Sequence, residues 1–231
     1  ISISHAVLPS SHKNLSYSPE RDLVPVTVMV NAPNILVSHP SLPVKSIKEL
    51  IAYARTRPGQ INYASSGNAS PAHLATEYLK LMTGIDLVHV PYKGTGPGMT
   101  DTIAGRVSLM FASIISTRQH IDAAKLRALA MAGSKRAAAA PDVPTIAEAG
   151  VPGYAVDVWY AMLAPSATPR PVLERLNGAV AKILKSSEVT NKLAAIGLEP
   201  VADGLAPTDA YIKAEIKKWA RVVEAAKISA E

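Results

Sequence analysis

The chain has 231 residues, of which 48% are apolar and 18% are charged, a composition typical of a folded globular protein. No apolar run reaches the length of about 18 residues that a membrane-spanning helix needs, and the absence of cysteine excludes disulfides, thiolate metal sites and a cysteine nucleophile. The net charge of +6 is compatible with a solvated basic surface or with steering of small anions. Nucleic acid is a less favoured partner, because aromatic residues make up only 5% and basic residues cluster only in pairs.

Strand-like and helix-like runs alternate through the middle of the chain. The strand-like runs are residues 60–64, 86–90, 107–111 and 126–131, and a helical pattern follows each. This order predicts an α/β fold in which parallel strands are covered by helices on both faces. Ser46 with Glu49 three residues later is a capping box that predicts a helix start, and Gly84 predicts the left-handed end of helix 71–83.

The pattern also predicts two lobes. Residues 32–157 form the second lobe, and the first lobe is assembled from residues 1–31 and 158–231. Two long strands, near 26–37 and 155–163, are predicted to cross between the lobes and to serve as a hinge.

Two loops rich in small residues follow successive strands and carry the functional prediction. The first runs from Ser65 to Ser70 and offers the hydroxyls of Ser65, Ser66 and Ser70, with backbone amides from Gly67 through Asn68 to Ser70. The second contains Gly94 and Thr95. Loops at the carboxyl ends of neighbouring strands place helix N-termini around one crevice, which predicts an anion site. An ordinary capped strand-to-helix turn is the alternative interpretation of the first loop.

Catalytic and metal signatures are missing from the sequence. No nucleophile elbow is present, and no histidine pair has the spacing of a helical zinc site. His73 and Asp157 are the only candidate bases near the predicted crevice, and neither has an obvious partner. The sequence therefore predicts a protein without metal or cofactor, which holds a small anion rather than transforming it.

Several ordered blocks of sequence resemble one known family. The chain is similar, over almost its whole length, to the extracytoplasmic solute receptors of tripartite tricarboxylate transporters, the TctC or Bug receptors. The blocks that carry the resemblance are residues 61–68, 89–94, 126–130, 141–150 and 163–165.

The resemblance implies a periplasmic, two-lobed receptor of type II-like fold, the "venus flytrap" arrangement. Such a receptor closes on a small carboxylate and delivers it to membrane permease subunits; it is expected to be a monomer. Carried over by position, the ligand contacts would come from both lobes: Ser65, Ser66, Gly67 and Ser70 with Gly94 and Thr95 from the second, Ser4 and His5 from the first, and Asp157 and Trp159 from the crossing segment.

In one respect the chain departs from the family pattern. Family members begin with a strand and a Pro-Gly-Gly-type loop in the first lobe, whereas this chain starts after that point, so its first lobe is expected to be N-terminally incomplete. Two other functions stay open from the sequence: a sensory receptor that presents the same lobes to a membrane sensor, and an α/β enzyme acting on a small anion through His73 or Asp157.

Overall fold

The computed structural model describes residues 1–12 and 15–228. The chain divides into two compact units: unit 1 comprises Ile1–Ala32 and Val158–Glu231, and unit 2 comprises Pro33–Asp157. The helices and strands in chain order are α1 (Ile3–Ser11), β1 (Leu23–Asn31), β2 (Asn34–Ser38), α2 (Ile47–Arg55), β3 (Asn62–Ser65), α3 (Pro71–Thr83), β4 (Val88–Pro91), α4 (Thr95–Ile103), β5 (Leu109–Ser113), α5 (Ile114–Asp122), β6 (Arg127–Met131), β7 (Trp159–Pro165), α6 (Arg170–Leu184), α7 (Ser187–Ala195), β8 (Glu199–Pro200) and α8 (Leu205–Ala226).

Unit 1 is built on a three-stranded antiparallel sheet in the order β7-β1-β8. Helix α8 packs against β1 and α1, and α6 also packs against β1. This sheet departs from the expected parallel-rich pattern for a reason of connectivity. Strand β1 ends at Asn31 where the chain leaves unit 1, and β7 begins at Trp159 where it returns, so the paired strands must run in opposite directions.

Unit 2 is built on a five-stranded mixed sheet in the order β4-β3-β5-β2-β6. Strand β3 is parallel to β4 and β5, whereas β2 is antiparallel to both β5 and β6. Four strands therefore run in one direction, as the strand–helix alternation predicted, and β2 alone runs against them. The core of the unit is apolar and includes fully or almost fully buried Val37, Ala64, Met110 and Met131.

The two long crossing strands predicted near 26–37 and 155–163 are each shorter in the structure, so that prediction is wrong in its bounds. Strand β1 ends at Asn31 and β2 begins at Asn34, because Pro33 has no N–H to continue a ladder. The Ala32 N–H donates to the Val158 carbonyl at 2.7 Å just beyond the pairing of β1 with β7. The role of these segments as a hinge stays a prediction.

Local end signals agree with the structure at most helices. The Ser46 hydroxyl accepts from the Glu49 N–H at 3.2 Å, and the Glu49 carboxylate accepts from the Lys45 N–H at 2.6 Å. Gly84 adopts φ 68° and closes α3.

Candidate anion site at the carboxyl edge of the unit 2 sheet

Three helices begin at one edge of the unit 2 sheet. Strands β4, β3 and β5 lie side by side and parallel, so their carboxyl ends meet at this edge. Helix α3 follows β3, α4 follows β4 and α5 follows β5, each within six residues of the strand end. The unpaired N–H groups and the positive dipole ends of three helices therefore converge, and this arrangement attracts anions.

The loop between β3 and α3 folds back on itself and leaves selected amides free. Within it, the Gly67 N–H donates to the Ser65 hydroxyl at 3.1 Å, and the Ser70 N–H donates to the Gly67 carbonyl at 3.3 Å. The Ser70 hydroxyl caps α3 by accepting from the His73 N–H at 3.4 Å. Across the part of the chain that the structure describes, the amides of Ser66, Asn68 and Ala72 have no protein acceptor. These three amides can donate to a ligand.

Ser65 occupies a different position from the one the sequence indicated. Its side chain is fully buried, and its hydroxyl contacts the Gly67 carbonyl at 3.0 Å and the His89 Nε2 at 2.6 Å. Ser66, Gly67 and Ser70 are half-buried and Asn68 is exposed, so these residues are accessible at the loop surface. The Ser65 hydroxyl therefore braces the loop, and the ligand contacts of all five residues stay predictions.

Helix α4 starts without a side-chain cap. Its N-cap is Gly94, whose φ of 109° is readily available only to glycine. Within the described parts of the chain, the amides of Thr95 and Gly96 have no protein acceptor, and both residues are exposed. An anionic ligand at this helix start would accept hydrogen bonds from these two donors.

Gly98 fixes how closely α4 approaches the sheet. A Cβ atom there would lie 3.3 Å from the Ala64 Cβ, 3.3 Å from the Tyr92 Cδ2 and 3.4 Å from the Met110 Cε.

The Tyr92 hydroxyl donates to Asp101 at 2.8 Å, and Arg106 binds the same carboxylate at 2.6 Å. These two hydrogen bonds lower the pKa of Asp101, so the carboxylate stays charged and paired.

The start of α5 belongs to this edge; the sequence predicted a helix after the strand-like run 107–111 but did not include its start in the site. The Ser113 hydroxyl accepts from the Ser116 N–H at 3.3 Å, and the two hydroxyls are 2.9 Å apart. The pair Ser113 and Ser116, directly after a strand-like run, is an N-cap signal that could have pointed to it. As the third helix start at this edge, α5 adds positive potential to the site, together with the hydroxyls of Ser113 and Ser116.

Asp157 also lies at this edge, beyond the end of β6. Its Oδ1 accepts from the Ser134 N–H at 3.2 Å and sits against Gly133. His73 instead accepts a hydrogen bond from the Ala69 N–H, through its Nδ1 at 3.1 Å. The two candidate bases thus have separate partners, and no hydrogen bond joins them within the described residues.

The remaining predicted ligand contacts belong to unit 1. Ser4 is exposed and His5 is buried, both inside α1 rather than in a loop, and burial lowers the pKa of His5. Trp159 is fully buried and donates its Nε1–H to Glu215 at 3.1 Å, which places it in the unit 1 core. Their part in ligand binding stays a prediction.

Residues 1–12 and 15–228 contain no group of three or more metal-ligating side chains suited to a metal ion. None of the helices in these ranges combines the length and apolarity that crossing a bilayer requires.

The solved periplasmic binding protein BugD shares this fold, with 29% identity and a TM-score of 0.80 over 99% of this chain and 77% of that one. The Rhodopseudomonas palustris protein Rpa4515, solved with adipate, is 38% identical with a TM-score of 0.83, over 99% of this chain and 77% of that one. The protein MatC of the same organism, solved with bound malate, is 29% identical with a TM-score of 0.77, over 96% of this chain and 77% of that one. The fold is therefore that of a two-unit α/β binding protein.

The family follows from the sequence match. The model of the tripartite tricarboxylate transporter family receptor, TctC, matches residues 1–228, and the chain belongs to this family. Protein BugT of Bordetella pertussis is 35% identical over 223 residues, which cover 96% of this chain and 67% of that protein. The chain spans about two thirds, 63–67%, of the length of such curated relatives. The family is one of receptors, which agrees with the prediction that the chain is not an enzyme.

Proposed function

We propose that this chain is part of a periplasmic receptor that captures a small carboxylate for a tripartite tricarboxylate-type transporter. The observation that carries the proposal is the convergence of three helix starts at one sheet edge. Two of them, at the first loop and at Gly94, present amides without protein acceptors in the described chain. Amides in this arrangement bind carboxylate oxygens without any catalytic group.

The number of donors is sufficient for useful affinity. A hydrogen bond to a charged group contributes about 1.5–3 kcal/mol, and a micromolar complex needs about 8 kcal/mol. At that rate the four free amides, those of Ser66, Asn68, Thr95 and Gly96, would contribute about 6–12 kcal/mol, a range that includes the requirement. Exposed Lys93, beside Gly94, adds positive charge at the rim and favours approach of an anion.

The ligand class is supported by the solved relatives. One is described with adipate and another with bound malate, which are both small dicarboxylates. We infer that this chain takes a ligand of the same class, with one carboxylate at the unit 2 edge. The family description supports delivery of the ligand to membrane permease subunits, and the name of a structural neighbour supports a periplasmic location.

A calorimetric titration tests the proposal. Adipate, malate and the neutral analogue adipamide are titrated into the wild-type chain and into Ser66→Asp. Saturable binding of a dicarboxylate but not of adipamide is expected in the wild type. In Ser66→Asp, a carboxylate about 5 Å from the ligand charge opposes binding by about 3 kcal/mol at an effective dielectric constant of 20, so affinity falls at least tenfold.

Ser46→Asp is the matched control. Ser46 caps α2, which follows β2. Because β2 runs antiparallel to β5, its carboxyl end lies at the edge of the sheet opposite the candidate site. Aspartate is as well suited as serine to that cap. It therefore adds the same charge to the same unit at the other edge of the sheet, and its affinity should equal that of the wild type. Equal affinities of the wild type and Ser66→Asp would remove the loop from the site, and absence of dicarboxylate binding would contradict the ligand class.

A further inference from the structure

The loop that follows β3 has a backbone conformation that needs external support. Gly67 has φ 126°, and Ala69 has φ 55°, a left-handed conformation that residues with a Cβ adopt uncommonly. Residues held in such conformations persist only where neighbouring groups enforce them, and they are concentrated at functional sites. The groups that enforce this conformation therefore decide whether the free amides of the loop point to a ligand.

The buried imidazole of His73 and the half-buried imidazole of His89 supply the support. The Ala69 N–H donates to His73 Nδ1 at 3.1 Å, and His89 Nε2 lies 2.6 Å from the Ser65 hydroxyl. One proton arrangement satisfies every contact of that hydroxyl: it donates to the Gly67 carbonyl and accepts from the Gly67 N–H and from His89 Nε2–H. Each ring thus holds one end of the loop.

The two rings are themselves locked in a stack. His73 and His89 lie 3.9 Å apart between ring centroids at 11°, and Tyr63 stacks on His89 at 4.9 Å and 18°. The Tyr63 hydroxyl donates to Glu77 at 2.6 Å, and Lys80 pairs with the same carboxylate at 2.9 Å. Strands β3 and β4 and helix α3 therefore contribute one side chain each to a column behind the loop.

We propose that His73 and His89 are positioning residues that hold the loop Ser65–Ser70 in its anion-binding conformation, and that they do so only as two neutral rings. The proposal rests on the proposed function of that loop. A neutral His73 offers a lone pair at Nδ1 to the Ala69 N–H, whereas a protonated ring carries a hydrogen there and repels it. A charge on either ring also repels a charge on its partner at this separation.

The surroundings keep the rings neutral at pH 7. Burial, followed by the proximity of His89, lowers the pKa of His73 to about 4, with Lys80 acting in the same direction and Glu77 against it. Burial is also the main cause that lowers the pKa of His89. The titratable groups that face the two rings are Tyr63 from β3 and Glu77 and Lys80 from α3. The hydrogen bond from the Ala69 N–H to His73 Nδ1 is therefore expected to open only in acid.

Two substitutions at His73 separate the acceptor from the ring. His73→Phe keeps a stacking ring and removes the acceptor, whereas His73→Asn removes the ring and keeps an acceptor oxygen near the Nδ1 position. Loss of one such hydrogen bond corresponds to about a three- to tenfold effect. In His73→Phe we therefore expect the Ala69 amide hydrogen to exchange about three- to tenfold faster and adipate affinity to fall about three- to tenfold. In His73→Asn we expect most of the exchange protection and most of the adipate affinity to be recovered.

Nuclear magnetic resonance on the wild type tests the proposal without any substitution. The Nδ1 of His73 should show the shift of an unprotonated, hydrogen-bonded nitrogen at pH 7, and the Ala69 amide signal should move as the pH falls through about 4. The proposal would be overturned if the Ala69 amide signal did not move while His73 titrates. It would also be overturned if the Ala69 amide exchanged at the wild-type rate in a folded His73→Phe chain. Failure of adipate and malate to bind the wild type would contradict the proposed function alone, because the Ala69 signal reports on the loop without a ligand.

Discussion

Replacement of Glu215 is expected to destabilise unit 1 more than any other single change considered for it. Its carboxylate is 5% exposed and accepts from the Trp159 Nε1–H at 3.1 Å and from the Trp219 Nε1–H at 3.0 Å. Both indoles are fully buried, and Lys218 pairs with the second oxygen of the carboxylate. Glu215→Ala therefore removes the carboxylate acceptor of two buried indole N–H groups and one ion-pair partner of Lys218.

The expected cost follows from these contacts. Each indole bond to the carboxylate is charge-assisted and contributes about 1.5–3 kcal/mol, with a similar penalty for a buried donor left unpaired. The Lys218 pair adds about 0–1 kcal/mol, because part of the lysine is exposed to solvent. These contributions add up to about 3–7 kcal/mol, and removal of one partner from a buried ion pair costs about 3–5 kcal/mol, so the loss expected for Glu215→Ala is about 3–5 kcal/mol. Glu215→Gln keeps an acceptor oxygen for the indoles and is expected to lose about 1–2 kcal/mol.

Tryptophan fluorescence in urea measures this effect selectively. The chain has two tryptophans, Trp159 and Trp219, and both lie in unit 1, so the signal reports on that unit alone. With an m value of about 1.5 kcal/mol/M, the urea midpoint of Glu215→Ala should fall by about 2–3 M. Exposed Glu224 on the same helix gives the control Glu224→Ala, which should leave the midpoint unchanged. A midpoint for Glu215→Ala within about 0.5 M of the wild type would refute the reasoning.

Three further outcomes concern unit 2, for which far-UV circular dichroism during urea unfolding is the measurement. Gly98→Val forces α4 away from the sheet and should cost about 1–3 kcal/mol, and an unchanged midpoint would contradict the close approach. The pKa of His73, about 4 in the folded chain against the ordinary 6.5, means that the unfolded chain binds more protons between these values. Stability should therefore fall by up to about 3 kcal/mol as the pH drops from 6.5 to 4, and the same titration of His73→Asn should lack that component. Ser113→Ala removes the cap of α5 and should cost about 1 kcal/mol, whereas Ser113→Asp should not.

The candidate site was predictable from the sequence in its outline. Small-residue loops after two strand-like runs indicated Ser66, Gly67 and Gly94 as site residues, because turns and helix caps depend on a few adjacent residues. The helix after the strand-like run 107–111 was predicted, but its start was not included in the site because Ser113 lies in a run with no glycine to mark a turn. The family resemblance placed Trp159 near the ligand, which stays a prediction; only the structure shows that its indole is buried beside Glu215.

The sequence by itself determined the family, the alternation of strands and helices and most helix ends, since each of these depends on periodicity or on contacts within one turn. Only the tertiary structure decided that β3 lies between β4 and β5, and therefore that three helix starts meet at one edge. It also decided that His73 stacks on His89, 16 positions along the chain, and that Glu215 joins Trp159, 56 positions away. Such pairs depend on the order in which strands lie side by side, and no local pattern of residues encodes that order.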